Sequence, residues 1–123
     1  MKFFALLYGD GTRWDSLSAE ERGAVYDEYR AFAGDAEKAG VLAGGAELAS
    51  TRDATTVRVR DGETLVTDGP YAEVKEALGG YFVLDCESMD DALDWAARIP
   101  GATHGAIEVR PVHVDPDEEG ATA

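Results

Sequence analysis

Val66-Thr67-Asp68-Gly69-Pro70-Tyr71-Ala72-Glu73-Val74-Lys75-Glu76-Ala77-Leu78-Gly79-Gly80-Tyr81-Phe82 links the end of a hairpin to a strongly apolar strand. Asp-Gly-Pro breaks regular structure, because glycine opens backbone angles closed to other residues and proline fixes the next φ. The ring of Tyr71 and the charges of Glu73, Lys75 and Glu76 follow at once. A mere connection does not need this much side-chain chemistry, so the segment reads as a shaped loop. A short helical turn is expected across Glu73–Leu78, and an apolar strand over Tyr81–Cys86.

Upstream, Thr55–Arg60 is rich in β-branched residues, and Asp61-Gly62 is a strong hairpin signal into Glu63–Thr67. Val41–Leu48 reads as a strand with a bulge at Gly44-Gly45. Lys2–Tyr8 is apolar on both faces, which suits a central strand covered on two sides. Its apolar run is too short for a secretion signal and no cleavage pattern follows it. Residues 9–17 read as a loop carrying Trp14. Ser18-Ala19-Glu20-Glu21 is a capping box, and Val25, Tyr29, Phe32, Ala36 and Ala39 form one apolar stripe before Gly40 ends the helix. Downstream, Ser88 caps a second helix with Ala92, Trp95, Ala96 and Ile99 on one face. Pro100-Gly101 stops it, and Ala106–Val112 is the last strand.

This order is an α+β, ferredoxin-like βαββαβ arrangement with an added hairpin. Two helices cover one sheet face and leave the other open, so a homodimer packing sheet against sheet, with a cleft between subunits, is expected. The domain spans residues 1–113. Residues 114–123 are acidic and poor in apolar groups, and are expected to form a disordered tail.

The 25 acidic and 11 basic residues of this 123-residue chain give a net charge of −14. Such a surface repels nucleic acid and anionic lipid, so neither a direct nucleic-acid role nor a membrane role is expected. Cys86 is the only cysteine, which excludes an internal disulfide and points to the cytoplasm. His104 and His113 have no neighbouring Cys or His at ligand spacing, so no metal is expected. Gly9-Asp10-Gly11 lacks the last glycine of a dinucleotide fingerprint, no Gly-x-Ser-x-Gly elbow occurs, and no cofactor is expected.

Asp68 and Glu73 are the candidate catalytic bases, since a carboxylate desolvated beside a lysine can be tuned for proton transfer. The competing reading makes Asp68 a turn residue bonded to its own backbone, and Glu73, Lys75 and Glu76 a solvated surface. Lys75, Arg58 and Arg110 are candidate anchors for a small anionic ligand, because guanidinium grips carboxylates bidentately. Arg58 and Arg60 share one strand face, and Glu108 and Arg110 share another. These four could equally form a cross-strand ladder. Tyr71 is the candidate to pack on an aromatic ligand, with Asp68 turned inward and Trp14 folded over the same opening.

Asp68-Gly69-Pro70-Tyr71-Ala72-Glu73-Val74-Lys75-Glu76 resembles the Asp-Gly-Pro-Phe-Ala-Glu-Thr-Lys-Glu signature of the DGPF proteins in the YCII-related family. Leu78–Tyr81, Ala92–Pro100 and Gly105–Val112 extend the resemblance, which covers about residues 1–113. Tyr71 stands where that signature has Phe. The resemblance implies a dimeric α/β-barrel assembly of ferredoxin-like subunits. The wider family includes a dehydrochlorinase acting on a chlorinated aromatic, with a suspected His–Asp pair. This chain has no histidine before His104, so the first-helix histidine does not carry over. The gene context of DGPF members implies association with sigma factors. Three functions follow as expectations: a small-molecule-binding dimeric accessory protein; a cofactor-free lyase, isomerase or hydrolase acting on a small acid; and a regulatory partner of a sigma factor.

Overall fold

A computed structural model describes residues 1–116. Strand β1 (Lys2–Asp10) runs through the middle of a four-stranded sheet, flanked by β5 (Glu76–Asp85) and β6 (Ala106–Pro111). Strand β2 (Leu42–Glu47) pairs with the far side of β5, giving the order β2-β5-β1-β6 with every pair antiparallel. This mixed α+β architecture is consistent with the ferredoxin-like split βαβ arrangement. The central place of β1 agrees with its two-sided apolarity.

Helix α2 (Ala19–Lys38) starts at the expected capping box: Ser18 Oγ accepts from the Glu21 amide at 3.1 Å, and the Glu21 carboxylate accepts from the Ser18 amide at 2.9 Å. Gly40, at φ +73°, follows its end. Helix α3 (Met89–Ala96) is capped by Ser88. Both helices lie on one sheet face, where Phe32 and Ala36 of α2 and Ala92 and Ala96 of α3 bury Phe3, Ala5 and Leu84. Ile99 and Cys86 complete this core. Burying side chains as large as Phe3, Leu84 and Ile99 contributes about 1.5–3 kcal/mol each.

Three local expectations are corrected. Residues 9–17 are not a loop: β1 continues to Asp10, and a short helix α1 (Gly11–Ser16) follows, with the Asp10 carboxylate accepting from the Thr12 amide at 2.9 Å. The helical turn across Glu73–Leu78 is absent, because β5 begins at Glu76 and pairs with the end of β1. That extension holds the double glycine inside the ladder. Leu7 faces Gly80 and Tyr8 faces Leu78, leaving Gly79 as the extra residue of a bulge. A side chain on Gly80 would put Cβ 2.9 Å from the Ala46 carbonyl oxygen, so glycine lets β2 and β5 approach. The bulge expected in β2 falls at Ala43, beside the two glycines.

Strands β3 (Thr55–Arg60) and β4 (Glu63–Asp68) form a separate two-stranded sheet, hereafter the arm. Its turn is the expected Asp61-Gly62, with φ of +53° and +78°. Of the expected tail, residues 117–123 lie outside the described residues.

Candidate functional site

Two surfaces place the chemistry-bearing residues. The first is the sheet face opposite the helices. Residues directly opposite in a ladder share a face, so the register puts Phe4, Leu6 and Tyr8 of β1 beside Leu78, Tyr81 and Val83 of β5. Phe4 and Tyr81 stack with centroids 5.4 Å apart and planes 3° from parallel. No described helix covers this face. On β6, Arg110 lies opposite Phe4 and Glu108 opposite Leu6, which brings one cation and one carboxylate to the margin of the apolar surface. Arg110 Nε is 3.9 Å from Glu108 Oε2, a long and exposed contact.

The second surface is the loop that joins the arm to β5. Gly69 adopts φ +109°, a conformation that favours glycine. Its amide donates to the Ala54 carbonyl at 2.8 Å, and its own carbonyl accepts from Thr56 Oγ1 at 2.8 Å, so the start of the loop is tied to β3. Gly69, Pro70, Ala72, Glu73 and Val74 then wall a shallow hollow of about 300 Å³ closed on its other side by Thr51 and Arg52. Glu73 and Arg52 are its charged groups. Ser50 Oγ holds the Arg52 amide at 3.2 Å, and the guanidinium reaches Asp15 Oδ2 at 3.2 Å.

The candidate residues of the signature segment do not converge. Asp68 ends β4 opposite Thr55 and is exposed rather than turned inward as expected. No hydrogen bond of its side chain to the turn occurs among the described residues either, so the turn-bonding alternative fails too; the Asp68-Gly69 turn is held by backbone and Thr56. Tyr71 is 80% exposed rather than pocketed, with the Arg58 guanidinium 5.5 Å from its ring centroid. Lys75 precedes Glu76, which lies opposite Asp10, and its charge bears on Asp10. Arg58 and Arg110 sit in different sheets with different partners, so one strand face does not unite them. Trp14 packs edge-on against Tyr26 with Arg22 over its ring, on the α2 side.

Sequence reasoning passed over Arg13 and Arg52, and weighed Asp10 and His104 only as parts of dinucleotide and metal motifs that do not form. Thr12 holds the Asp10 carboxyl below the usual range, first through its hydroxyl at 2.7 Å and then through its amide, with help from Lys75. Arg13 Nη2 lies 3.2 Å from His104 Nε2, and since guanidinium only donates, this ring nitrogen accepts. Residues 91 positions apart give no spacing signal, which is why His104 looked isolated. Burial pushes the Cys86 thiol up, away from the thiolate a nucleophile needs. No cluster of metal-ligating side chains occurs among the described residues, and no described helix is long and apolar enough to cross a membrane.

The family model of the YCII-related domain matches residues 1–114. An uncharacterized protein of Rhizobium meliloti (strain 1021) is 40% identical over 114 residues, covering 91% of this chain and 92% of that protein. Matched over nearly its whole length, with Asp68-Gly69-Pro70 at the start of the tied loop, this chain belongs to the YCII-related family, also called DGPF.

Proposed function

We propose that the protein is a small-molecule-binding accessory protein that works as a homodimer, its sheets packed face to face in a dimeric α/β barrel. The uncovered apolar sheet face carries this reading. Phe4, Leu6, Tyr8, Leu78, Tyr81 and Val83 form a contiguous aromatic and aliphatic surface on the side without helices. Leaving such a surface in water is costly, and a second copy would bury it. A cleft between two such faces suits a small aromatic acid: its ring would lie against the Phe4–Tyr81 stack while Arg110, only loosely engaged by Glu108, takes the carboxylate.

Sedimentation equilibrium at micromolar concentration is expected to give twice 13.1 kDa. Simple aromatic acids are then expected to raise the melting temperature. Stabilisation reaches about 2.7 kcal/mol at a hundredfold excess over the dissociation constant. Arg110→Met should abolish the shift with the fold intact. A monomer, or a dimer indifferent to every aromatic acid tested, overturns the reading.

A second reading, a cofactor-free lyase, isomerase or hydrolase, is favoured by the hollow beside the loop. There Glu73 is a base and Arg52 a cation across a space of about 300 Å³. Glu73→Gln would then abolish turnover of a small acid while leaving its binding in place.

A further inference from the structure

Apart from Met1, the large apolar side chains most open to solvent among the described residues all lie between positions 57 and 74. Val57, Val59 and Val66 are 60%, 59% and 64% exposed. Val57 and Val66 are direct cross-strand partners, and Val59 lies two positions along the same face. The three therefore make one patch, on the side of the arm turned away from Arg58. Among the described residues the arm has no third strand, and a two-stranded ribbon is marginal in water without a surface to pack on. Its contacts with the main sheet and helices are few.

We propose that this patch docks on a second copy of the chain, making the arm a second part of the homodimer interface beside the open sheet face; the inference rests on the dimer reading. Charge argues for a like copy. The chain carries −14, so two copies repel wherever their acidic surfaces meet. The arm carries only −1, with Arg58 and Arg60 against Asp61, Glu63 and Asp68. Val57, Val59, Thr64 and Val66 put no charge on the patch itself, and Asp68 enters the same face only at its far end, opposite Thr55. A basic partner would instead be drawn to the acidic first turns of the helices, Glu20 with Glu21 and Asp90 with Asp91. In a two-fold dimer each arm meets the other subunit by the same contact, so one patch serves twice.

The test is sedimentation equilibrium of the full chain with two arm variants and one sheet-face variant, folding being checked by far-UV circular dichroism. Val57→Asp/Val66→Asp is expected to weaken the dimer at least a hundredfold. Val57→Thr/Val66→Thr keeps β-branching and is expected to weaken it about tenfold. If both arm variants dimerise like wild type while Tyr81→Ser separates the subunits, the arm proposal falls and the sheet-face dimer stands. If the arm variants dissociate and Tyr81→Ser does not, the arm holds the dimer and the sheet-face reading falls. A monomeric wild type ends both.

Discussion

Strands β5 and β4 are both extended and both paired, yet β5 lies between β1 and β2 and buries Gly80 and Leu84, whereas every residue of β4 is exposed. The difference is what lies above the pleat. Over β5 sit Phe32 and Ala36 of α2 and Ala92 and Ala96 of α3, whereas Val57 and Val66 of the arm stay 60% and 64% exposed. A β-rich segment states that a ladder can form, and packing decides whether that ladder carries stability.

The contrast can be broken most sharply at Leu84. Leu84→Ala should cost about 2–5 kcal/mol in urea denaturation at fixed protein concentration, because the side chain is fully buried against both helices. A loss below about 1 kcal/mol would mean the helix layer collapses onto the gap and the core is less tightly packed than drawn. Gly62 offers the complementary measurement on the arm. At φ +78°, Gly62→Ala should cost about 1–2 kcal/mol, felt locally. Arm amides should exchange faster while those of β1 and β5 keep their protection. Faster exchange spreading into the four-stranded sheet would show that arm and sheet open as one unit, and the comparison would lose its force.

Acid provides the smallest effect, read at two carboxylates of the helix-bearing body. The Asp10 carboxyl is lowered from its ordinary 3.8 by Thr12, and that of Glu21 from 4.5 by Ser18. Both groups are more acidic folded than unfolded. Their contribution is therefore complete above those ordinary values and lost as pH falls through the lowered ones. Between pH 5 and 3 the urea midpoint of wild type should drop more steeply than that of Asp10→Asn/Glu21→Gln, by a modest margin because both carboxylates are exposed. Identical slopes would remove the two caps from the acid response.

Much of this architecture is legible in the chain because its signals are local. The Ser18 capping box, the Gly40 stop, the Ser88 cap and the Asp61-Gly62 turn each depend on a few adjacent residues, and each is found where the sequence puts it. The α+β class and the YCII-related family follow from the same reading. Local reasoning misled where a segment's state depends on a distant strand. Glu76–Leu78 could have formed a helical turn, but β1 continues to Asp10 and offers it a ladder. Gly79-Gly80 then serves a bulge and a close strand approach rather than a loop end.

The candidate site was least legible, for the same physical reason. Asp68, Tyr71, Glu73 and Lys75 are neighbours in sequence, yet the irregular, bent backbone between β4 and β5 carries them apart, to the arm base, the Arg58 stack, the hollow and Asp10. Arg13 and His104, or Arg52 and Asp15, meet only because the sheet and the α1 helix bring separate stretches together. Sequence by itself determined the two capped helices, the hairpin turn and the cores of the strands, since capping, turn chemistry and periodicity act over a few residues. The tertiary structure decided which side chains share a surface, since that depends on strand order and register set by burial of the whole core.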